Sequence, residues 1–316
     1  MYFLMTIVIL AQIYAIVSIA LNYLLGIAGR FSAYEAALMG VGAYTAALLA
    51  RDAGLDLIVG CIAGSIFCAL IGVVFQIATR HMDFFTFKIT SFALQMTLWQ
   101  TFMTWRSLTN GADGLHSIPR PEIFGVSFRD LGSYFLLTTT LTLIIVGYLL
   151  YFGRSQFALA LRGLRDGEKA LESLGKDTFI LKLKVFAISA AATGFAGGLL
   201  AGMLRSINPL SFYIYVSVIF IIFVTAGGLG NLWGTLVAVV GLTAAQELIK
   251  MIPGLPTTYI APLQQIFFGL VLIAVMMLRP KGLLPEVPLF RKPSVRSSEP
   301  ASSGFALLDE PRVKTP

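Results

Sequence analysis

Charge is what this chain has least of. Asp, Glu, Lys and Arg make up 12% of its 316 residues, about half the share of a soluble domain, while hydrophobic residues reach 57% against roughly 45–50%. That combination excludes an ordinary water-soluble fold. Histidine is nearly absent: His81 and His116 are the only two, and no HExxH string or Cys/His cluster accompanies them, which argues against a metalloenzyme. No G-x-x-x-x-G-K-[ST] string occurs, so the chain has no phosphate-cradling loop of its own and would have to draw energy from elsewhere. Cys61 and Cys68 are the only cysteines. They share one apolar run, where a helix separates them by about 10 Å, too far to bridge, and they read as small packing residues. No nucleophile and base converge in any motif, so an enzyme is not expected.

What is abundant is uninterrupted apolar sequence. Residues 1–29, 57–79, 131–153, 185–204, 206–246 and 251–278 contain no Asp, Glu, Lys or Arg. Each run is long enough to cross a hydrocarbon core of about 30 Å as a helix. Strict alternation is missing, which leaves helices rather than a barrel as the way to satisfy the backbone in lipid. The reading is an all-α polytopic membrane protein of about 8–10 transmembrane helices, some broken or short. The predicted spans are 3–26, 32–50, 57–78, 84–105, 131–152, 181–204, 210–226, 230–249 and 262–278. The first run lacks a basic leader region and exceeds the apolar length of a signal peptide, so it is read as a retained span.

Orientation follows from the basic residues. With 154–184 in the cytoplasm, alternation places 16 of the 23 Lys and Arg inside and six outside, with Lys88 in a span. The positive-inside rule selects this arrangement, N-terminus outside and C-terminus inside. The same distribution explains the net charge of +7 without a nucleic-acid partner. Lys88, Glu35 and Glu247 lie near span ends, with Glu35 expected beside Arg30 and Glu247 beside Lys250 at the boundary. None of them calls for a proton relay. Gln12, Asn22, Gln95, Gln100 and Gln246 could line a path or join helices by hydrogen bonds.

Two apolar segments are rich in small residues. Phe31–Ala50 carries Glu35, Gly40 and Gly42, and Thr225–Leu248 opens with Gly227, Gly228 and Gly230. Gly-interrupted segments in corresponding positions are a pointer to broken helices along a pathway, and close helix packing is the competing explanation.

The longest hydrophilic internal stretch, 154–176, reads GRSQFALALRGLRDGEKALESLGKD with its flanks. Leu161, Leu164, Leu171 and Leu174 fall on one helical face, Arg162, Arg165 and Lys169 form a basic stripe, and Glu168 and Glu172 sit one turn apart beside it. Such an element could lie on the membrane or dock into a cytosolic partner. From 286 the chain turns to Pro, Ser and charge, and residues 286–316 are expected to be a disordered cytoplasmic tail.

The segment FGRSQFALALRGLRDGEKALESLGKDTFILKLKVFAISAAATGFAGGLLA resembles the cytoplasmic coupling segment and following helix of LivM-type permeases from branched-chain amino acid ABC importers. GVGAYTAALLA, WRSLTNGADGL, FVTAGGLGNLWGTLVA and LRPKGLLP match in the family's order. The resemblance implies a type II importer permease domain over 1–285. It matches Arg165, Asp166, Glu168, Ala170 and Gly175 to the loop that enters a groove of the ATPase, and Arg162 and Glu172 of the same stretch complete the candidate set. The implied partners are a second homologous permease, two cytosolic ATPases that bind the ATP, so that this chain needs no cofactor, and a periplasmic binding protein docking on the 106–130 loop. The implied setting is the bacterial inner membrane. The expected cargo is leucine, isoleucine or valine, with urea, amides or aromatic acids as alternatives and an ion-coupled secondary transporter as the rival class.

Overall fold

The computed structural model describes residues 2–123, 126–128, 130–250, 257–279 and 282–284. The tail expected over 286–316 lies outside the described residues. Helix α1 (Tyr2–Asn22) runs into a turn of π-helix (Tyr23–Ile27), followed by α2 (Glu35–Arg51), α3 (Leu57–Ala78) and α4 (Phe84–Thr104). A connection holding the short α5 (Arg106–Thr109) and a hairpin of β1 (Glu122–Ile123) and β2 (Val126–Ser127) leads to α6 (Leu131–Phe152). Then come α7 (Gln156–Asp166), α8 (Glu168–Ser173), α9 (Thr178–Leu204), α10 (Ile214–Gly227), α11 (Leu232–Ile249) and α12 (Thr257–Leu278). Among the described residues six helices are long and apolar enough to cross a membrane, and the chain is a multi-pass helical membrane protein. Every predicted span falls on a helix. The largest displacement is the last, which begins at Thr257 with Pro262 inside it.

The bundle is centred on a seam of α2, α3 and α9. Small residues recur every fourth position on each: Gly60, Gly64, Cys68 and Gly72 on α3, Gly194, Gly198 and Gly202 on α9, and Gly42, Ala46 and Ala50 on α2. A Cβ on Gly42 would lie 2.0 Å from the Gly194 carbonyl oxygen, and one on Gly197 1.9 Å from that of Met39. The backbones therefore touch, which is how helices gain dispersion energy where lipid offers no hydrophobic drive. Cys61 and Cys68 are buried free thiols in this seam, and Cys68 donates to the Leu38 carbonyl at 3.2 Å.

Gly40 and Gly42 lie inside an unbroken α2, so close packing accounts for them structurally. The break comes earlier. From Ala28 to Tyr34 the chain is non-helical, with Gly29 at φ +67°, and it delivers the start of α2 to the bundle interior, where Ser32, Tyr34 and Glu35 are all buried. Irregular backbone at such a place survives only if protein groups satisfy it. The Ala36 N–H donates to Ser217 Oγ and the Ala37 N–H to Gln95 Oε1, each at 2.9 Å, while Glu35 accepts from Ser32 Oγ at 2.8 Å and Thr193 Oγ1 at 2.9 Å. The boundary position expected for Glu35 beside Arg30 is thus corrected: the non-helical step carries Glu35 inward, and Arg30 turns to another carboxylate. Glu247 does pair with Lys250, at 2.5 Å.

Candidate functional site

The 154–176 stretch folds as two helices rather than one. Ser155 caps α7 through its Oγ, and the helix ends at Gly167, which adopts extended backbone before α8. Glycine's poor helix propensity makes this a cheap place to turn. Leu161, Leu164 and Leu171 are buried as the spacing predicted, but Leu174 is 77% exposed. Helix α8 ends at Ser173, so Leu174 falls beyond the helical face that Leu171 shares. At the end of α8 the Gly175 N–H donates to Glu172 O and the Lys176 N–H to Leu171 O, with Gly175 at φ +75°. This double closure needs a left-handed residue, and Gly175 supplies it.

Charged residues fix the pair of helices to the bundle. Glu168 accepts from Lys182 Nζ at the start of α9 and from Arg30 Nη2 at 3.1 Å. Partial burial pushes the Glu168 carboxyl up, yet the Lys182 hydrogen bond and charge, the Arg30 charge and the Thr178 hydroxyl outweigh it and hold the group below the usual carboxylate range. Glu172 accepts from Thr178 Oγ1 at 2.7 Å. Arg165 lies across Gly29, where a Cβ would sit 2.6 Å from its Cγ, and donates to the Gly26 carbonyl at 2.5 Å.

Gly26 belongs to the π-turn, and that turn is joined to the second glycine-rich segment. A Cβ on Gly26 would lie 2.2 Å from Gly230 N. Asn22 accepts from the Gly230 N–H at 2.9 Å and donates to Thr235 Oγ1 at 2.7 Å and Asn231 O at 3.2 Å. Gly228 and Gly230, at φ +117° and +79°, form the tight α10–α11 turn. Leu283 and Leu284 bond back to the carbonyls of Ala226 and Gly227. One end of the bundle therefore holds a continuous chain of contacts from α7–α8 through the π-turn to the α10–α11 turn.

The opposite end carries the 106–130 connection. Leu115 and Ile207 exchange backbone bonds at 2.9 and 2.8 Å, which ties this connection to the one after α9. Beside it a cavity of about 700 Å³ is lined by Asp56, Ser117, Arg120, Glu122 and Arg205 among others. Among the described residues no group of three or more His, Cys, Asp or Glu could hold a metal ion.

Residues 3–276 match the family model described as branched-chain amino acid transport system, permease component. The chain belongs to this family. The permease is 27% identical to the Escherichia coli K12 high-affinity branched-chain amino acid transport system permease protein LivM, over 93% of this chain and 72% of that one. It is also 27% identical to the Salmonella typhimurium LivM protein, over 87% of this chain and 68% of that one. A probable LivM permease of Methanocaldococcus jannaschii is 26% identical over 57% and 55% of the two chains. No solved structure matches. The family is one of transport permeases.

Within the permease the predicted coupling residues separate into two sets. Arg165 and Glu168 hold the segment to the bundle and Glu172 braces α8 against Thr178, while Arg162 is half-buried. Asp166, Ala170 and Gly175 are exposed, with Lys169 and Leu174 beside them. The clamp partners Arg30 and Lys182 escaped the sequence reading, while Asn22 takes the helix-joining one of the two roles open to it. The available signal was the isolated charge: Arg30 stands alone between the first two spans, and Lys182 interrupts the start of an apolar helix.

Proposed function

We propose that this permease forms half of the translocation path of an ATP-driven importer of leucine, isoleucine or valine in the bacterial cytoplasmic membrane. Its N-terminus lies outside and its C-terminus inside, and it works with a second homologous permease, two cytosolic ATPases that bind the ATP, and a periplasmic binding protein. The observation that carries this reading is the contact chain from α7–α8 to the glycine-rich turns. An ATPase gripping the exposed Asp166, Ala170, Leu174 and Gly175 would move a segment that Glu168 and Arg165 lock to α9 and to the end of α1. The movement would reach the α10–α11 turn through Asn22, a rigid-body transmission.

The 106–130 connection and the cavity beside Arg120 and Arg205 form the surface for the binding protein. The family membership and the names of the relatives support the cargo. The test is reconstitution: labelled leucine should enter proteoliposomes only when both ATPases, ATP and the binding protein are supplied. Uptake driven by an ion gradient with no ATPase present would overturn the proposal.

A further inference from the structure

Two exposed helix faces of this protein have opposite chemistry. On α3 the outward positions Val59, Ile62, Ile66, Phe67, Leu70, Val74 and Ile77, all at least 48% exposed, are entirely apolar, which is the surface lipid requires. On α4 the buried face is Phe87, Ser91, Gln95 and Phe102, packed toward α2 and Phe212. The opposite face carries Thr86, Thr90, Ala93, Thr97, Gln100 and Thr104. Their spacing of four, three, four, three and four residues makes a single line along a helix. Thr90 is half-buried and the others are exposed. Helix α4 has 21 residues, about 31 Å at 1.5 Å each, enough to cross the hydrocarbon core.

The outer half of this line is also concave. A depression of about 500 Å³ is lined by Met96, Thr97, Trp99, Gln100, Thr101 and Thr104. The threonine hydroxyls can bond their own helix, as Thr90, Thr101 and Thr104 do to the carbonyls four residues back. The Gln100 amide has no such recourse, and an exposed amide in hydrocarbon is costly. Phe85, Ile89 and Phe92 adjoin the line in its inner half, while in the outer half Met96 and Trp99 share the depression with the Thr97, Gln100, Thr101 and Thr104 polar groups.

We infer that this face of α4, centred on Thr97, Gln100 and Thr104, is the wall of the water-filled translocation path. The inference rests on the permease reading above and assigns the path to particular side chains. The wall is uncharged and rich in hydroxyls, with the one α4 ammonium, Lys88, held at the inner end over the Phe84 ring at 4.0 Å. It therefore suits a net-neutral zwitterion, which it can hydrate without trapping by opposite charge.

The experiment is thiol labelling in membranes holding the assembled transporter, with Thr97→Cys, Gln100→Cys and Thr104→Cys on α4 and Ile66→Cys and Leu70→Cys on α3. Cys61 and Cys68 are fully buried and provide a silent background. Because only a hydrated thiol ionises readily, a charged, membrane-impermeant methanethiosulfonate should modify the α4 positions at least about tenfold faster than the α3 positions. Equal rates on the two helices would make the α4 face a lipid surface and overturn the inference. So would unlabelled α4 cysteines that oxidise to the neighbouring permease, since that outcome makes the face a dry subunit interface. Labelling needs no cargo, so it stands even if uptake assays show a different substrate. Conversely, ATP-driven leucine uptake with slow α4 labelling would sink this assignment alone.

Discussion

The interior seam and the α7–α8 docking site hold helices together by opposite means. In the seam, α2, α3 and α9 approach until backbone meets backbone, and the contact surfaces are glycines, alanines and two thiols. At the docking site, long charged side chains span the gap: Glu168 takes Arg30 and Lys182, and Arg165 reaches Gly26. The seam has little room to adjust, since a Cβ on Gly42, Gly60, Gly64 or Gly197 would meet backbone of the facing helix. At the docking site the Glu168 carboxylate stays 39% exposed and the Arg30 guanidinium 18%, so the groups that make the attachment keep part of their access to solvent. A transporter needs both, a body that stays rigid and a handle that stays attached.

The sharpest way to break the comparison is to put a side chain into the seam. Gly42→Leu should cost more than about 4 kcal/mol, because its Cβ alone would collide with the Gly194 backbone. Loss of a monodisperse peak on size exclusion in detergent is the expected readout. Next comes the junction between the two regions. Asn22→Leu leaves the buried Gly230 N–H without its acceptor and removes the donor to Thr235, a loss of roughly 2–3 kcal/mol. ATP hydrolysis by the assembled complex should persist while transport per ATP falls, which a coupled uptake and phosphate-release assay would read.

At the docking site the effect should be smaller, since Glu168 is 39% exposed. Glu168→Gln should weaken the attachment of α8 by about 1–2 kcal/mol, discounted from the roughly 3–5 of a fully buried pair by solvent screening. Protease sensitivity at 166–175 should rise with little change in the melting of the whole bundle. The same contact has a defined acid limit. Because the folded carboxyl titrates below its unfolded value of about 4.3, its contribution is complete above that pH and disappears as pH falls through the lower folded value. Hydrogen exchange of α8 followed from pH 6 to pH 3 should show protection fading only near the acid end. The smallest effect is expected where a helical glycine meets nothing: Gly147→Ala on α6 has open space around its Cβ, and should raise the thermal midpoint slightly, by about 0.5–1 kcal/mol of stability.

Much of this was readable beforehand. Long charge-free runs can only be helices in lipid, so the spans followed from composition. The interior position of Glu35 was not readable. A carboxylate six residues past a glycine looks like a boundary residue until Ser32, Thr193, Gln95 and Ser217, three of them on distant helices, are seen to gather around it and its neighbours. Leu174 failed the helical-wheel argument for a local reason, the end of α8 at Ser173, which periodicity averages over.

The sequence by itself determined that this chain crosses a membrane repeatedly as helices and that 154–176 stands out as its amphipathic, charged stretch. Both are properties of hydropathy and spacing that hold residue by residue. Tertiary structure alone decided which glycines touch, which charges clamp and which face of α4 is left polar and uncovered. Those depend on partners from 14 residues away, as for Glu168 and Lys182, to more than a hundred, as for Glu168 and Arg30, whose meeting is set by packing and by the demand that buried polar groups be satisfied.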